Sequence, residues 1–210
     1  MKLYSFQFSP NPLKVKWALK ELKLDYQNEE VVLFKGEQRD EKFLMVNPKG
    51  KVPVLIDGED VITESNAIIF HLGKRYGGNL WPTDHSGEIR ALEWMFFESS
   101  QMTQHCGPLW FNVFGNPKMG REIKSDKDMA KQIEGAEWFL GKLERNFEKS
   151  EYLLGPDFSL ADCALGTTLS ILKLTSLGEL RKWPRTKEYR DRILERPAFN
   201  QAGGHALFDL

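Results

Sequence analysis

Apolar positions repeat with two different periods in the first third of the chain. Lys2 to Phe6 reads as a strand, and Val15, Ala18, Leu19 and Leu22 then recur at i, i+3, i+4 and i+7, the spacing of one helix face. Asp25 to Leu33 reads as a second strand, expected to run parallel to the first because a helix intervenes. Gly36 to Met45 predicts a short, irregular helix. Val54-Leu55-Ile56 reads as a buried strand, Asp57-Gly58 as a hairpin turn and Val61-Ile62 as the paired strand. Ile68, Ile69, Leu72 and Tyr76 lie on one face of a helix that begins near Asn66 and is stopped by Gly77-Gly78.

Residues 77 to about 86 gather glycine, proline and small polar side chains, the composition of a linker. No convincing strand pattern follows. Gly87 to about Asn112 has helical spacing, with Leu92, Met95, Phe96 and Ser99 on one face, and Gly115-Asn116-Pro117 breaks the chain. Asp126 to Phe147 predicts a second long helix on Ile133, Ala136, Phe139, Leu140 and Leu143. Ser159-Leu160-Ala161-Asp162 is a capping-box start with Asp in place of the commoner Glu, a folding signal rather than a reactive group. Trp183-Pro184 and Arg196-Pro197 bound a last helix, and the tail from Ala202 to Leu210 has no readable pattern. The expected architecture is an α/β domain over residues 1–77, a linker over 78–86 and an all-helical domain over 87–210.

Composition narrows the function classes. A chain of 210 residues suffices for one large or two small domains with a real core. A net charge of −1 gives no basic footprint for nucleic acid. No apolar run approaches a membrane span and the first residues read as a strand rather than a leader, so no membrane partner and a cytoplasmic location are expected. Cys106 and Cys163 lack metal-type or C-x-x-C spacing, so neither a metal nor dithiol chemistry is indicated. Neighbouring His105 and Cys106 would diverge on a helix, which favours structural roles.

The candidate chemistry centres on Asn47-Pro48-Lys49-Gly50-Lys51-Val52-Pro53-Val54-Leu55, followed by Glu64-Ser65-Asn66-Ala67-Ile68. Val52, held extended by Pro53, has a backbone N–H and C=O that can pair with a ligand laid alongside as an extra strand. Ser65 at a helix N-terminus suits a carboxylate, and Glu64 beside it suits an ammonium. Together these fit a small peptide with an amine and a carboxylate at one end; an ordinary solvated hairpin with a helix cap fits the same residues. Ser9-Pro10-Asn11-Pro12 places two polar side chains just before a helix, with Pro12 suited to its first turn.

N-P-x-G-x-V-P-x-L followed by E-S-x-A-I resembles the glutathione-binding half of cytosolic glutathione transferases, and the resemblance runs the length of the chain. It implies a thioredoxin-like N-terminal domain joined to an all-helical one, a cis Pro53, Val52 pairing with the cysteinyl backbone of glutathione, and Glu64 and Ser65 at its γ-glutamyl end. Serine classes of the family place the active serine six residues before a valine such as Val15, which points to Ser9 as donor to the glutathione sulfur. Asn11 is the second candidate, because relatives that use glutathione for disulfide chemistry carry a Thr and an Asn in this loop. Tyr4 lies upstream, inside the strand, and reads as packing; with no cysteine in the loop, a mixed-disulfide mechanism is not expected.

By position Gln38 and Arg39 match a His-Lys pair that grips the glycine carboxylate, with Lys51 a further candidate, and each also reads as solvated surface. A second substrate is expected between the domains, near Met102, Cys106, Trp110, Phe111 and Phe114, although helix-spaced aromatics are commonly core. The resemblance implies a homodimer that conjugates glutathione to hydrophobic electrophiles in the manner of theta- and phi-like members. A glutathione-dependent reductase of disulfides or peroxides and a non-catalytic binding module are the alternatives.

Overall fold

The computed structural model describes residues 1–207, so the tail expectation for residues 208–210 lies outside the described residues. Strands Lys2–Ser5 (β1), Gln27–Glu30 (β2), Val54–Asp57 (β3) and Asp60–Thr63 (β4) form one sheet in the order β2-β1-β3-β4. β1 and β2 are parallel, joined through the helix Pro10–Glu21 (α1), and β3 is antiparallel to both its neighbours. Leu3 stands opposite Leu55 with both side chains fully buried, whereas β2 is exposed throughout. β2 is shorter than Asp25 to Leu33 because β1 offers only four residues to pair with. After Val31 donates to the Ser5 carbonyl, the chain turns away through 3-10 turns at Leu33–Lys35 and Glu37–Arg39 into helix Glu41–Val46 (α2). The hairpin turn falls on Gly58-Glu59, one residue later than expected, with Gly58 at φ +65. Ser65–Tyr76 (α3) then buries Ile68, Ile69 and Leu72 against the sheet.

The second half is helical among the described residues. Helix His85–Phe97 (α4) starts inside the stretch expected to be linker, because Asp84 caps it by accepting the Gly87 N–H at 2.9 Å. The expected face of this helix is corrected. Phe96 is 68% exposed and Ser99 is exposed, while the buried stripe runs through Ala91, Met95, Glu98, Met102, Cys106 and Leu109. The stripe contains the Glu98 carboxylate, which a hydropathy pattern passes over, and a π-helical turn spans Glu98–Met102. Thr103–Trp110 (α5) follows, then a second π turn at Phe111–Gly115. Gly115-Asn116-Pro117 does not break the chain. The short helix Asn116–Lys118 (α6) carries Pro117 in its first turn, where the missing N–H is harmless, and the path changes only at Gly120, φ +66.

Ala130–Phe147 (α7) begins four residues after Asp126, since Asp128 is tied into a turn by the Ser125 hydroxyl at 2.6 Å. Leu160–Ser170 (α8) is buried from end to end and starts with the capping box of Ser159 and Asp162. The Asp162 carboxylate also accepts the Leu153 N–H and the Tyr189 hydroxyl, and burial outweighs these bonds to raise its pKa. Pro184–Leu194 (α9) is not the last helix; Pro197–Gln201 (α10) follows.

One apolar core crosses the two halves. Trp17 of α1 is fully buried and packs on Phe199 and Phe158 at ring distances of 4.9 and 5.9 Å. Gly166 of α8 lets the helices close, because a Cβ there would lie 3.1 Å from the Trp17 ring and 2.5 Å from Ile193. The helix that begins at Ser9 is therefore clamped by the helical domain. Among the described residues no helix is long and apolar enough to cross a membrane.

Candidate active site

The loop before β3 is built by Asn47, which is 3% exposed. Its Nδ2 donates to the Lys51 carbonyl at 2.7 Å, its Oδ1 accepts the Lys49 N–H at 3.1 Å, and its own carbonyl accepts the Gly50 N–H at 2.9 Å. Gly50 has φ +61, and a Cβ there would meet the Gln38 carbonyl oxygen at 2.9 Å, so the glycine brings Gln38 against this loop. The Val52–Pro53 bond is cis. Val52 packs its side chain with Phe6, Val31, Phe43 and Val54. No hydrogen bond among the described residues engages its N–H or C=O, so a strand-like ligand can pair there.

Glu64 and Ser65 lie at the start of α3. Glu64 has φ +68, a backbone state that costs a non-glycine residue on the order of 1–3 kcal/mol and is characteristic of binding sites. No side chain caps the helix, and its first bond runs from the Ile68 N–H to the Glu64 carbonyl at 3.0 Å. The N–H groups of Ser65, Asn66 and Ala67 thus have no acceptor within the helix and are free to meet an anion. The Glu64 carboxylate is exposed and accepts from Lys49 Nζ at 3.0 Å. Lys49 was not among the expected residues; it sits in the N-P-x-G loop, and only the hairpin fold carries it to Glu64. Gln38 Oε1 is buried without a partner, whereas Arg39 and Lys51 are exposed and have no carboxylate within ion-pair distance among the described residues.

Ser9 is the N-cap of α1, half-buried, and its hydroxyl makes no capping bond. The cause is local. Pro10 and Pro12, at the first and third helical positions, have no N–H to offer it, and Asn11 carries the one free N–H of that turn. The helix starts at Pro10, so Asn11 belongs to its first turn rather than preceding it. Asn11 and Pro10 line a cleft of about 430 Å³ together with Thr103, Trp110, Phe111 and Thr168. Trp110 thus lines this cleft, with its Nε1 donating to the Leu207 carbonyl at 3.0 Å. Met102 and Cys106 are not: both are fully buried on the core side of the helix, and burial, with the nearby Glu98 charge, holds the Cys106 thiol well above its ordinary pKa. Tyr4 packs on Phe43 at 5.7 Å, as expected of a strand residue.

Behind the site lies a buried ion pair absent from the sequence expectations. Lys14 of α1 donates to Glu98 Oε1 at 2.7 Å, with the two side chains 2% and 0% exposed. The same oxygen accepts the hydroxyls of Thr103 at 2.6 Å and Thr168 at 2.5 Å, and Oε2 accepts Asn66 Nδ2 at 3.0 Å. Burial alone would raise the Glu98 pKa, but the Lys14 charge and these bonds win and lower it. The two ends of the site, α1 after Ser9 and α3 after Ser65, are joined through this one carboxylate.

A thioredoxin-like sheet with a cis-proline edge, packed on a helical domain, defines the class. Residues 1–74 match the family model of the glutathione S-transferase N-terminal domain and residues 105–197 that of the C-terminal domain. The chain is 31% identical over 206 residues to glutathione S-transferase 3 of Zea mays, covering 96% of this chain and 92% of the relative. Its fold superposes on the theta-class glutathione S-transferase of Xanthomonas axonopodis pv. citri, solved with glutathione bound, at a TM-score of 0.89 and 25% identity over 98% of each chain. A glutathione transferase from Burkholderia graminis, solved with two glutathione molecules per subunit, matches at 0.85 and 27% identity over 100% of this chain and 89% of that one. The chain belongs to the glutathione S-transferases and is an enzyme of that kind, conjugating the glutathione thiol to electrophiles.

Proposed function

We propose that this chain binds glutathione across Val52, Glu64 and Ser65 and that Ser9 activates its thiol for attack on an apolar electrophile held near Asn11 and Trp110. The observation that carries the reading is the Ser9 hydroxyl, placed at a helix N-terminus and left uncommitted by Pro10 and Pro12, which follow it. It donates to the sulfur and favours thiolate over thiol. The thiolate then forms a C–S bond, the leaving group departs with its electron pair, and the thiol proton passes to solvent. Gln38, Arg39 and Lys51 surround the position of the glycine end, and Lys49 sets the orientation of Glu64. Substituting Ser65→Ala removes a hydroxyl bond to a carboxylate, so calorimetric titration should find the glutathione Kd raised roughly tenfold or more, with kcat little changed at saturation. Unaltered affinity would withdraw Ser65 from the anion site.

A homodimer is part of this reading. α4 and α7 present Phe96, 68% exposed, and Trp138, 54% exposed. With Trp94 and Phe97 they line a groove of about 670 Å³, and a second groove of about 500 Å³ between α3 and α4 includes Phe70, Leu92 and Phe96. Contiguous exposed aromatics of this kind favour a protein partner. Sedimentation should give twice the chain mass for the wild type and a shift toward monomer for Phe96→Glu; a wild-type monomer at micromolar concentration would refute it. The two free, buried cysteines accord with a reducing compartment such as the cytoplasm. The second reading, a glutathione-dependent reductase, is favoured by Asn11 facing the cleft and by the two glutathione molecules in the Burkholderia relative. Oxidised glutathione among the products would select it.

A further inference from the structure

We propose that Lys118 makes the second-substrate cleft selective for electrophiles that carry a carboxylate. The proposal rests on the assignment of the cleft beside Asn11 to the second substrate. Five rings form a continuous wall across the loop that carries Ser9. Phe34 meets Phe6 edge-on at 5.2 Å, Phe6 meets Phe8 at 5.7 Å, Phe8 meets Phe114 at 5.8 Å, and Phe114 stacks on Trp110 at 4.8 Å. Trp110 belongs both to this wall and to the cleft. The ammonium of Lys118 lies over two of the rings, 4.6 Å from the centroid of Phe114 and 5.2 Å from that of Phe8. Phe8 immediately precedes Ser9, so the cation stands at the flank of the reacting sulfur's position.

Ring faces attract this ammonium but do not neutralise it. No carboxylate lies within ion-pair distance of it among the described residues. The adjoining pocket of about 450 Å³, which shares Pro108 and Phe111 with the cleft, is different: Arg121 and Lys124 there share the lining with the carboxylates of Glu122 and Asp128. Among the described residues Lys118 is therefore an uncompensated charge directly over the wall. Holding it against two rings also limits its motion before any ligand arrives, so less freedom is lost when an anion binds. Phe114 is itself 1% exposed and backs the wall; an aromatic electrophile can lie against Trp110 and the half-buried Phe8 while its carboxylate meets Lys118. In the reaction the glutathione thiolate bonds to the ring carbon, halide leaves with its electron pair, and the carboxylate stays ionised throughout.

The test uses the full-length protein at saturating glutathione with a pair of electrophiles that differ only in charge, 4-chloro-3-nitrobenzoate and its methyl ester. The readout is the ratio of kcat/KM for the acid to that for the ester. Relative to wild type, Lys118→Met should lower this ratio about tenfold, the scale of one charge-assisted hydrogen bond. Lys118→Glu should lower it further and Lys118→Arg should keep it, while added salt should reduce it in the wild type. A ratio unchanged in both Lys118→Met and Lys118→Glu, or an equal loss on acid and ester, would overturn the proposal. Wild-type turnover of the ester reports separately on whether this cleft receives the second substrate at all.

Discussion

Glutathione bound to the Ser9→Ala variant should hold its thiol proton about one to two pKa units more tightly than in the wild type, the equivalent of one hydrogen bond to a charged group. A free thiol titrates near roughly 8.5, and bringing it down by about two units requires on the order of 2.7 kcal/mol. A hydroxyl donor to thiolate contributes about 1.5–3 kcal/mol and a helix N-terminus about 0.3–1 kcal/mol. Here the second contribution is small in reach, because Pro10 and Pro12 leave the Asn11 N–H alone in that first turn. The hydroxyl must therefore supply most of the shift. Ultraviolet difference titration of the thiolate at saturating glutathione, across about pH 5 to 9, measures it directly. Conjugation by the variant should fall about tenfold to a hundredfold at pH below the free thiol value, and the deficit should close as pH rises above it. A wild-type pKa that Ser9→Ala leaves unmoved would transfer the role to the Asn11 amide.

Replacing Glu98 by alanine should destabilise the protein by about 3–5 kcal/mol, the cost of stranding a buried charge. Lys14, 2% exposed, would keep its ammonium with no carboxylate beside it, and the hydroxyls of Thr103 and Thr168 would lose their common acceptor. Urea unfolding followed by tryptophan fluorescence gives the value. The paired substitution Lys14→Met with Glu98→Leu should recover most of the loss, since two apolar side chains remove both charges together. A single-variant cost under about 1 kcal/mol would mean that water reaches Lys14. The pair also predicts acid sensitivity. Because the folded-state pKa of Glu98 is lowered, its stabilisation is complete above the ordinary carboxylate range and is lost as pH falls through the depressed value.

The loop before β3 was legible because its signals are local. Asn-Pro, Lys-Gly and a Val-Pro step each constrain the backbone where they stand, and the hairpin after them has its own turn glycine at Gly58. Val52, Glu64 and Ser65 therefore lie where their neighbours in the chain placed them. Ser9 was legible for the same reason, although the prolines that free its hydroxyl are informative only once the helix is known to begin at Pro10. The long helix after the linker was read less well. Its buried stripe includes Glu98, a carboxylate that a hydropathy count excludes from a core face, so the face was placed one position over, on Phe96, and Met102 and Cys106 were given to the cleft.

Residue types in local patterns, then, determined the two-domain architecture, the cis-proline loop before β3 and the uncapped helix terminus at Ser65. The tertiary structure alone decided the rest. Lys14 and Glu98 meet across 84 positions, Lys49 reaches Glu64 across the hairpin, and Lys118 comes to rest over Phe8. A charged side chain carries no local sign of its partner, because its pairing energy depends on distance and burial, which exist only after the helices have packed.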